Sequence, residues 1–245
     1  MIERERRGSV EVLRLAAPPL NLLGSAMIAA VTDAFRTLAK EPPRAAVLFC
    51  GGGGADVREM ATLDPAGARR FITALHEACA SIRDLDTPVI AAIDGVSLGA
   101  HLEMAAACDL RVASAGSRLG MPEIKVGIPS VIDAWWLIQI CGLGAASSLV
   151  FDGDMIDAHE AHRIGLVNRV AADGSLEGDA LAWAEKIAAY APAASVQQKR
   201  VIRDWTDDAY RKGARRSIDR FVDAIATGQP AEAMQAMLSK RPPSF

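Results

Sequence analysis

Aromatic side chains are scarce: six Phe, four Trp and two Tyr make up 5% of the 245 residues, although 51% of the chain is hydrophobic. The apolar content is therefore mostly Ala, Leu, Val and Ile, and the mean hydropathy of +0.16 leaves a surplus that must be internal or meet another subunit. Charge of one sign is also lacking. Lys and Arg number 27 against 30 Asp and Glu, a net charge of −3, which excludes the basic footprint that a nucleic-acid backbone requires. Met1 to Arg7 is nearly all charge with no apolar run behind it, so it is not a secretory signal. Asp33, Asp94 and Glu103 interrupt the long apolar stretches before about eighteen residues accumulate, which argues against a membrane span and for a cytoplasmic protein. The four cysteines stand far apart in apolar segments, without zinc or redox spacing, and read as buried small hydrophobes.

What is present is a mixed α/β pattern. Val10 to Leu15 alternates as a half-buried strand does, and Pro18-Pro19 stops it. Ser25 to Ala39 carries apolar residues at helical spacing, with Ser25 as the expected N-cap. Ala45 to Cys50 and Pro88 to Ile93 are short continuous apolar runs, the mark of strands covered on both faces. Pro65 to Leu85 and Ala100 to Ala107 read as helices, Asp109 to Ala113 as a strand, and 117–130 as irregular. Beyond Ile132 the chain is largely helical almost to Arg241, with an appended layer from Ala191-Pro192. Strands separated by helices imply right-handed crossovers.

Four features could carry chemistry. Gly51 to Gly54 follows a buried strand, but lacks the Gly-Lys-Ser/Thr of a phosphate loop, and Asp56 breaks a dinucleotide fingerprint; it is either a permissive turn or a loop that aims a backbone N–H, that of Ala55, at a ligand oxygen. Gly95-Val96-Ser97-Leu98-Gly99 matches the nucleophile elbow of a serine hydrolase, yet no histidine follows late enough to complete a triad. His159 and His162 lack metal-ligand spacing and read as an exposed helix face, and His101 as a half-buried structural residue. Glu103 stands among small apolar residues and Glu123 in a segment stiffened by Pro122, Gly127 and Pro129. Two carboxylates facing one cavity can divide general acid and general base work.

Taken together, Asn21-Leu22-Leu23, Ala55-Asp56-Val57-Arg58-Glu59-Met60, the stretch from Pro88 to Ala113, Met121-Pro122-Glu123-Ile124-Lys125-Val126-Gly127-Ile128-Pro129, Ala158-His159-Glu160-Ala161 and Gly165-Leu166-Val167-Asn168 resemble the enoyl-CoA hydratase/isomerase family, the crotonase fold. The resemblance implies an α/β spiral of ββα units over residues 1–190, which holds the active site, and a helical trimerisation region over 191–245. It implies an oxyanion hole for a CoA thioester made by the backbone N–H groups of Ala55 and Ala100, with the helix dipole behind the second. Glu103 would activate water for attack on Cβ and Glu123 would deliver a proton to Cα, while Gly54, Asp56, Arg58, Gly99 and Pro129 would lie against the substrate. The expected reaction is hydration of a trans-2-enoyl-CoA in fatty acid metabolism, or the reverse. No metal or further cofactor is implied, coenzyme A being part of the substrate, and the expected partner is a second copy of the chain in a homotrimer or dimer of trimers.

An isomerase or another acyl-CoA lyase or hydrolase of the same fold, a Ser97 α/β-hydrolase and a non-catalytic assembly protein are the alternatives. Three features depart from the family pattern. The turn from Cys50 to Ala55 is short and lacks a phenylalanine, Ala100 replaces a glycine, and Ile128 to Asp133 replaces a glycine-rich continuation, with Trp135 and Trp136 reshaping the acyl pocket.

Overall fold

The computed structural model describes residues 1–244, and their side chains except those of 207–216. Strands β1 (Ile2–Arg7), β2 (Val10–Leu15), β3 (Ala45–Cys50), β4 (Val89–Ile93), β6 (Leu110–Ser114) and β9 (Arg169–Ala171) form one sheet in the order β1-β2-β3-β4-β6-β9. The first pair is antiparallel and the others parallel. A second sheet joins β5 (Val96–Leu98), β7 (Arg118–Gly120) and β8 (Ile156–Asp157).

Alternation along the central strands divides the core in two. Ala46, Leu48 and Cys50 of β3 with Val89, Ala91 and Ile93 of β4 face helices α1 (Ser25–Leu38), α3 (Pro65–Arg83) and α4 (Ala100–Ala107). Ala45, Val47, Ile90 and Ala92 face α7 (Leu176–Ala188), which presents Ala180, Ala184 and Ala188. The continuous apolar runs thus correspond to strands covered on both faces, and small side chains let α7 pack closely.

Some details add to the expectations and others correct them. The charged N-terminus is an edge strand: Ile2 to Arg7 pairs with Leu15 to Val10, and Arg4 and Arg6 reach Glu11 across the ladder at 2.9 and 3.5 Å. Its charges discourage edge-to-edge pairing. Gly24, not Ser25, is the N-cap of α1, because Glu59 on the short helix α2 (Val57–Met60) accepts both the N–H and the hydroxyl of Ser25. Asp64 caps α3 through a 2.6 Å bond from Gly67 N–H, with Pro65 in the first turn. Cys50, Cys79 and Cys108 are buried, whereas Cys141 is half-buried. His101 is fully buried rather than half-buried.

Ile132–Asp152, with Asp133 near its start, is by length and composition apolar enough to cross a membrane, contrary to the expectation that acidic residues interrupt every such stretch. Within it, helix α5 (Trp135–Asp152) breaks at Gly142, whose φ of 80° and ψ of 160° are not helical, so neither arm reaches the roughly twenty residues of a span. The chain continues through α6 (Ala158–Arg163) to α8 (Pro192–Ala226) and α9 (Gln229–Leu238). In the helical region over 191–245 expected to meet other subunits through Ile218, Phe221, Val222, Ile225, Met234 and Met237, Ile218, Phe221 and Met234 are instead buried in the chain's own main core, Val222 and Ile225 are half-buried, and Met237 is exposed.

Candidate active site

The glycine turn after β3 is sewn onto β5. Gly52 and Gly53 N–H both donate to Val96 O, at 2.7 and 3.0 Å, and Leu98 N–H returns a bond to Gly53 O at 3.0 Å. A Cβ on Gly54 would stand 2.8 Å from Leu98 O, so only glycine permits this approach. On the other side, Leu23 N–H donates to Gly54 O at 2.9 Å and Asp56 N–H to Leu23 O at 3.2 Å. This parallel bridge uses the N–H groups flanking Ala55 and leaves that of Ala55 itself free of a backbone acceptor among the described residues.

From β5 the chain enters α4 through Gly99, held by a 3.0 Å bond from its N–H to Gly120 O. Its φ of 50° and ψ of −116° suit glycine, and it offers no side-chain cap. The N–H of Ala100 at the first helical position has no backbone acceptor among the described residues and stands at the positive end of the helix dipole. One turn along, Glu103 is buried to 4% exposure, its N–H bonded to Gly99 O at 2.9 Å.

Ala55, Ala100, Glu103, Glu123 and Pro129 converge on one cavity of about 40 Å³. Glu123 reaches it from a short 3₁₀ turn, Pro122–Val126, that ends at Gly127 in the left-handed region. Burial pushes the Glu103 carboxyl well above the ordinary carboxylate value; the charges of Glu123 and Asp133 add to this, and a 3.1 Å bond from Ala134 N–H opposes it. Burial also raises Glu123, opposed by its own backbone N–H and by the Ser130 hydroxyl, which donates to Oε2 at 2.9 Å. Two neighbouring carboxyls that both resist ionisation favour a state with one neutral and one charged, which equips the pair to give one proton and take another.

Gly54 and Gly99 adjoin the cavity without lining it, while Asp56 and Arg58 point to other tasks. Asp56 caps α2 by accepting the Arg58 N–H at 3.0 Å, and Arg58 is exposed. The rest of the wall, which sequence reasoning did not assign to the site, is apolar: Phe71, Ile72 and Leu75 from α3, Met60 from α2, Ile128 and Val131, and Phe221 from α8. The apolar stripe of α3 signalled the first group, but nothing local marks Phe221. Val131 also lines a second, apolar cavity of about 230 Å³ against Trp135 and Ile138, so Trp135 lies beside the site, whereas Trp136 stacks edge-on against Trp135 and has the Arg83 guanidinium over its ring.

The serine-hydrolase alternative fails on geometry. Ser97 is fully buried in β5 and its Oγ has no hydrogen-bond partner among the described residues, so no base stands ready to take its proton. His101, beside Ala100, donates Nε2–H to Asn21 O at 2.6 Å, and burial lowers its pKa to about 4, so it is a neutral brace. His159 and His162 are exposed on α6, as expected. Among the described residues no three His, Cys, Asp or Glu side chains cluster as metal ligands.

Comparison with known proteins agrees with this architecture. A family model described as enoyl-CoA hydratase/isomerase matches residues 5–245. The chain is 31% identical to a short-chain-enoyl-CoA hydratase of Clostridium acetobutylicum, over 97% of this chain and 94% of that protein. It is 32% identical to a 2,3-dehydroadipyl-CoA hydratase of Escherichia coli, covering all of this chain and 97% of that one. The crystal structure of an enoyl-CoA hydratase/isomerase from Pseudoalteromonas atlantica T6c superposes with a TM-score of 0.89 at 27% identity, over 100% of this chain and 99% of that chain. With a full-length match on sequence and on fold, the chain belongs to the enoyl-CoA hydratase/isomerase family.

Proposed function

We propose that the protein is an enoyl-CoA hydratase that adds water across the 2,3 double bond of a trans-2-enoyl-CoA, and that runs the reverse dehydration on the same groups. The observation that carries this reading is the convergence of Glu103 and Glu123 with Ala55 and Ala100 on one small apolar cavity.

The thioester oxygen accepts from the N–H groups of Ala55 and Ala100. Glu103, ionised, takes a proton from water as its oxygen bonds to Cβ; the π electrons move onto the thioester oxygen as an enolate. Glu123, neutral, then gives its proton to Cα as the enolate collapses. The product is a 3-hydroxyacyl-CoA, with one proton moved from Glu123 to Glu103. Charge develops on the oxygen, so each backbone donor stabilises the transition state more than the ground state, by about 3 kcal/mol. Apolar walls exclude bulk water and strengthen both effects.

The purified protein is expected to hydrate a member of a trans-2-enoyl-CoA panel, measured as loss of enoyl absorbance. Glu123→Gln should lower kcat by roughly 10²- to 10⁴-fold. A variant as fast as the parent would remove Glu123 from the mechanism, and an inactive parent across the panel would favour an assembly protein.

The protein is also proposed to act in the cytoplasm and to associate with itself. Exposed Ile138, Leu143 and Phe151 on α5, with Ile202 and Trp205 on α8, support an apolar surface to be covered. Light scattering should give a multiple of the 25.9 kDa chain, and a monomer would refute association.

A further inference from the structure

A third carboxylate stands behind the site. Asp133 is fully buried on the 3₁₀ turn Ile132–Ala134, where the sequence departs from the glycine-rich pattern of the family. Two residues of α3 grip it: Arg83 Nη1 donates to Oδ1 at 2.8 Å, and His76 Nδ1 lies 3.2 Å from Oδ2. Residues 76 and 83 are two helical turns apart and so share a face of α3. The residue after Asp133 supplies the N–H that holds Glu103 Oε1 at 3.1 Å. The residue before it, Ile132, is β-branched yet has a φ of +41°, and its N–H is held by Ser217 Oγ of α8 at 2.7 Å. Such backbone persists only where its surroundings over-determine it. A fully buried carboxylate is likewise kept only with partners that hold it.

We propose that Asp133 is a positioning residue for Glu103: gripped by Arg83 and His76, it fixes the strained turn whose Ala134 N–H sets the orientation of the Glu103 carboxylate. The sequence logic follows. A glycine-rich turn could adopt this conformation without strain but would not hold it; the Asp133 clamp replaces flexibility with an ion pair. The proposal rests on the role of Glu103 in hydration. Among the described residues, the charged and titratable groups around Glu103 are Glu123, Asp133 with its partners Arg83 and His76, Cys79 on α3 and His101 on its own helix. The Asp133 charge raises the Glu103 pKa more than the Ala134 N–H lowers it, so neutralising Asp133 lets Glu103 ionise at lower pH.

The test compares the full-length protein with Asp133→Asn, by hydration rate against pH and by the carboxyl ¹³C titration of glutamate-labelled protein, with Glu103→Gln assigning the resonance. Asp133→Asn should lower kcat by roughly tenfold, as a small misplacement of a reacting group does, and leave KM within about threefold. The acid limb of kcat and the Glu103 midpoint should both move to lower pH. An unchanged kcat, or a slower enzyme whose acid limb and Glu103 midpoint stay in place, overturns the proposal. His76→Gln keeps the Arg83 pair and the Asp133 charge, so it serves if Asp133→Asn does not fold; its kcat should fall about threefold with little change in Tm, and no loss also overturns the proposal. If the parent hydrates nothing, the hydratase reading fails, while the ¹³C midpoint still decides whether Asp133 controls Glu103.

Discussion

The two ends of α4 treat their unsatisfied backbone groups in opposite ways. At the N-terminus, Gly99 brings no cap and the Ala100 N–H has no backbone acceptor among the described residues, which suits the proposed oxyanion hole. At the C-terminus, the buried Arg111 guanidinium closes the carbonyls: Nη1 donates to Cys108 O at 2.9 Å and to Ala105 O at 3.5 Å, while Nε donates to Leu166 O at 2.8 Å. Burial depresses the Arg111 pKa, a sign that the cation has left water for these oxygens and the helix dipole. One end is thus open for chemistry and the other closed for stability, within eight residues. A helix that must present a donor cannot cap it, so the remaining end carries the task of holding it in place.

The largest test of this division is Gly99→Ala. A Cβ there would lie 2.2 Å from Glu123 Oε1, in a backbone region that alanine adopts at a cost of about 1–3 kcal/mol. The carboxyl must retreat by roughly 1 Å, and kcat on the best enoyl-CoA is expected to fall about 10²-fold. Tm should drop by about 2–12 °C, the cost of that backbone strain. A fast variant would mean that Glu123 works from elsewhere. Arg111→Met should lower Tm and spare the rate. Carbonyls lose their donors at about 1–3 kcal/mol each, offset in part by the relief of a buried charge, for a net loss of about 2–3 kcal/mol and a Tm lower by roughly 4–10 °C. Its kcat at 25 °C should stay within about twofold. If activity fell while Tm held, the two ends would not be separable.

The same contrast explains what could be read in advance. α1, α3, β3, β4 and α4 are legible because burial imposes a local period or an unbroken apolar run. The short strands β5, β7, β8 and β9 have two or three residues each, too few to show a period. Glu103 and Glu123 stood out as carboxyls in apolar or stiffened company, a local signal. Phe221 did not, because its place in the cavity depends on α8 folding back onto α3 from far along the chain. The glycine turn and the Gly95 to Gly99 segment each read ambiguously alone; their meaning lies in the bonds from Gly52 and Gly53 to Val96, which no single segment contains.

Ser130→Ala is the smallest change and the sharpest for the open end. The Ser130 hydroxyl donates to Glu123 Oε2 and so favours its charged form, opposing the upward push of burial. Removing it withdraws one donor from the carboxylate and leaves the neutral acid nearly as it was, so the pKa rises further. Glu123 gives up its proton in hydration, and the rate falls at high pH as that proton is lost. The alkaline limb of kcat should therefore move to higher pH, by about 0.5–1 unit for a bond worth about 1 kcal/mol. Below that limb kcat should stay within about threefold, because Glu123 is protonated in both proteins. An acid limb that moved to higher pH while the alkaline limb stayed in place would mean that Glu123 acts ionised, as the base, and would exchange the roles of the two glutamates.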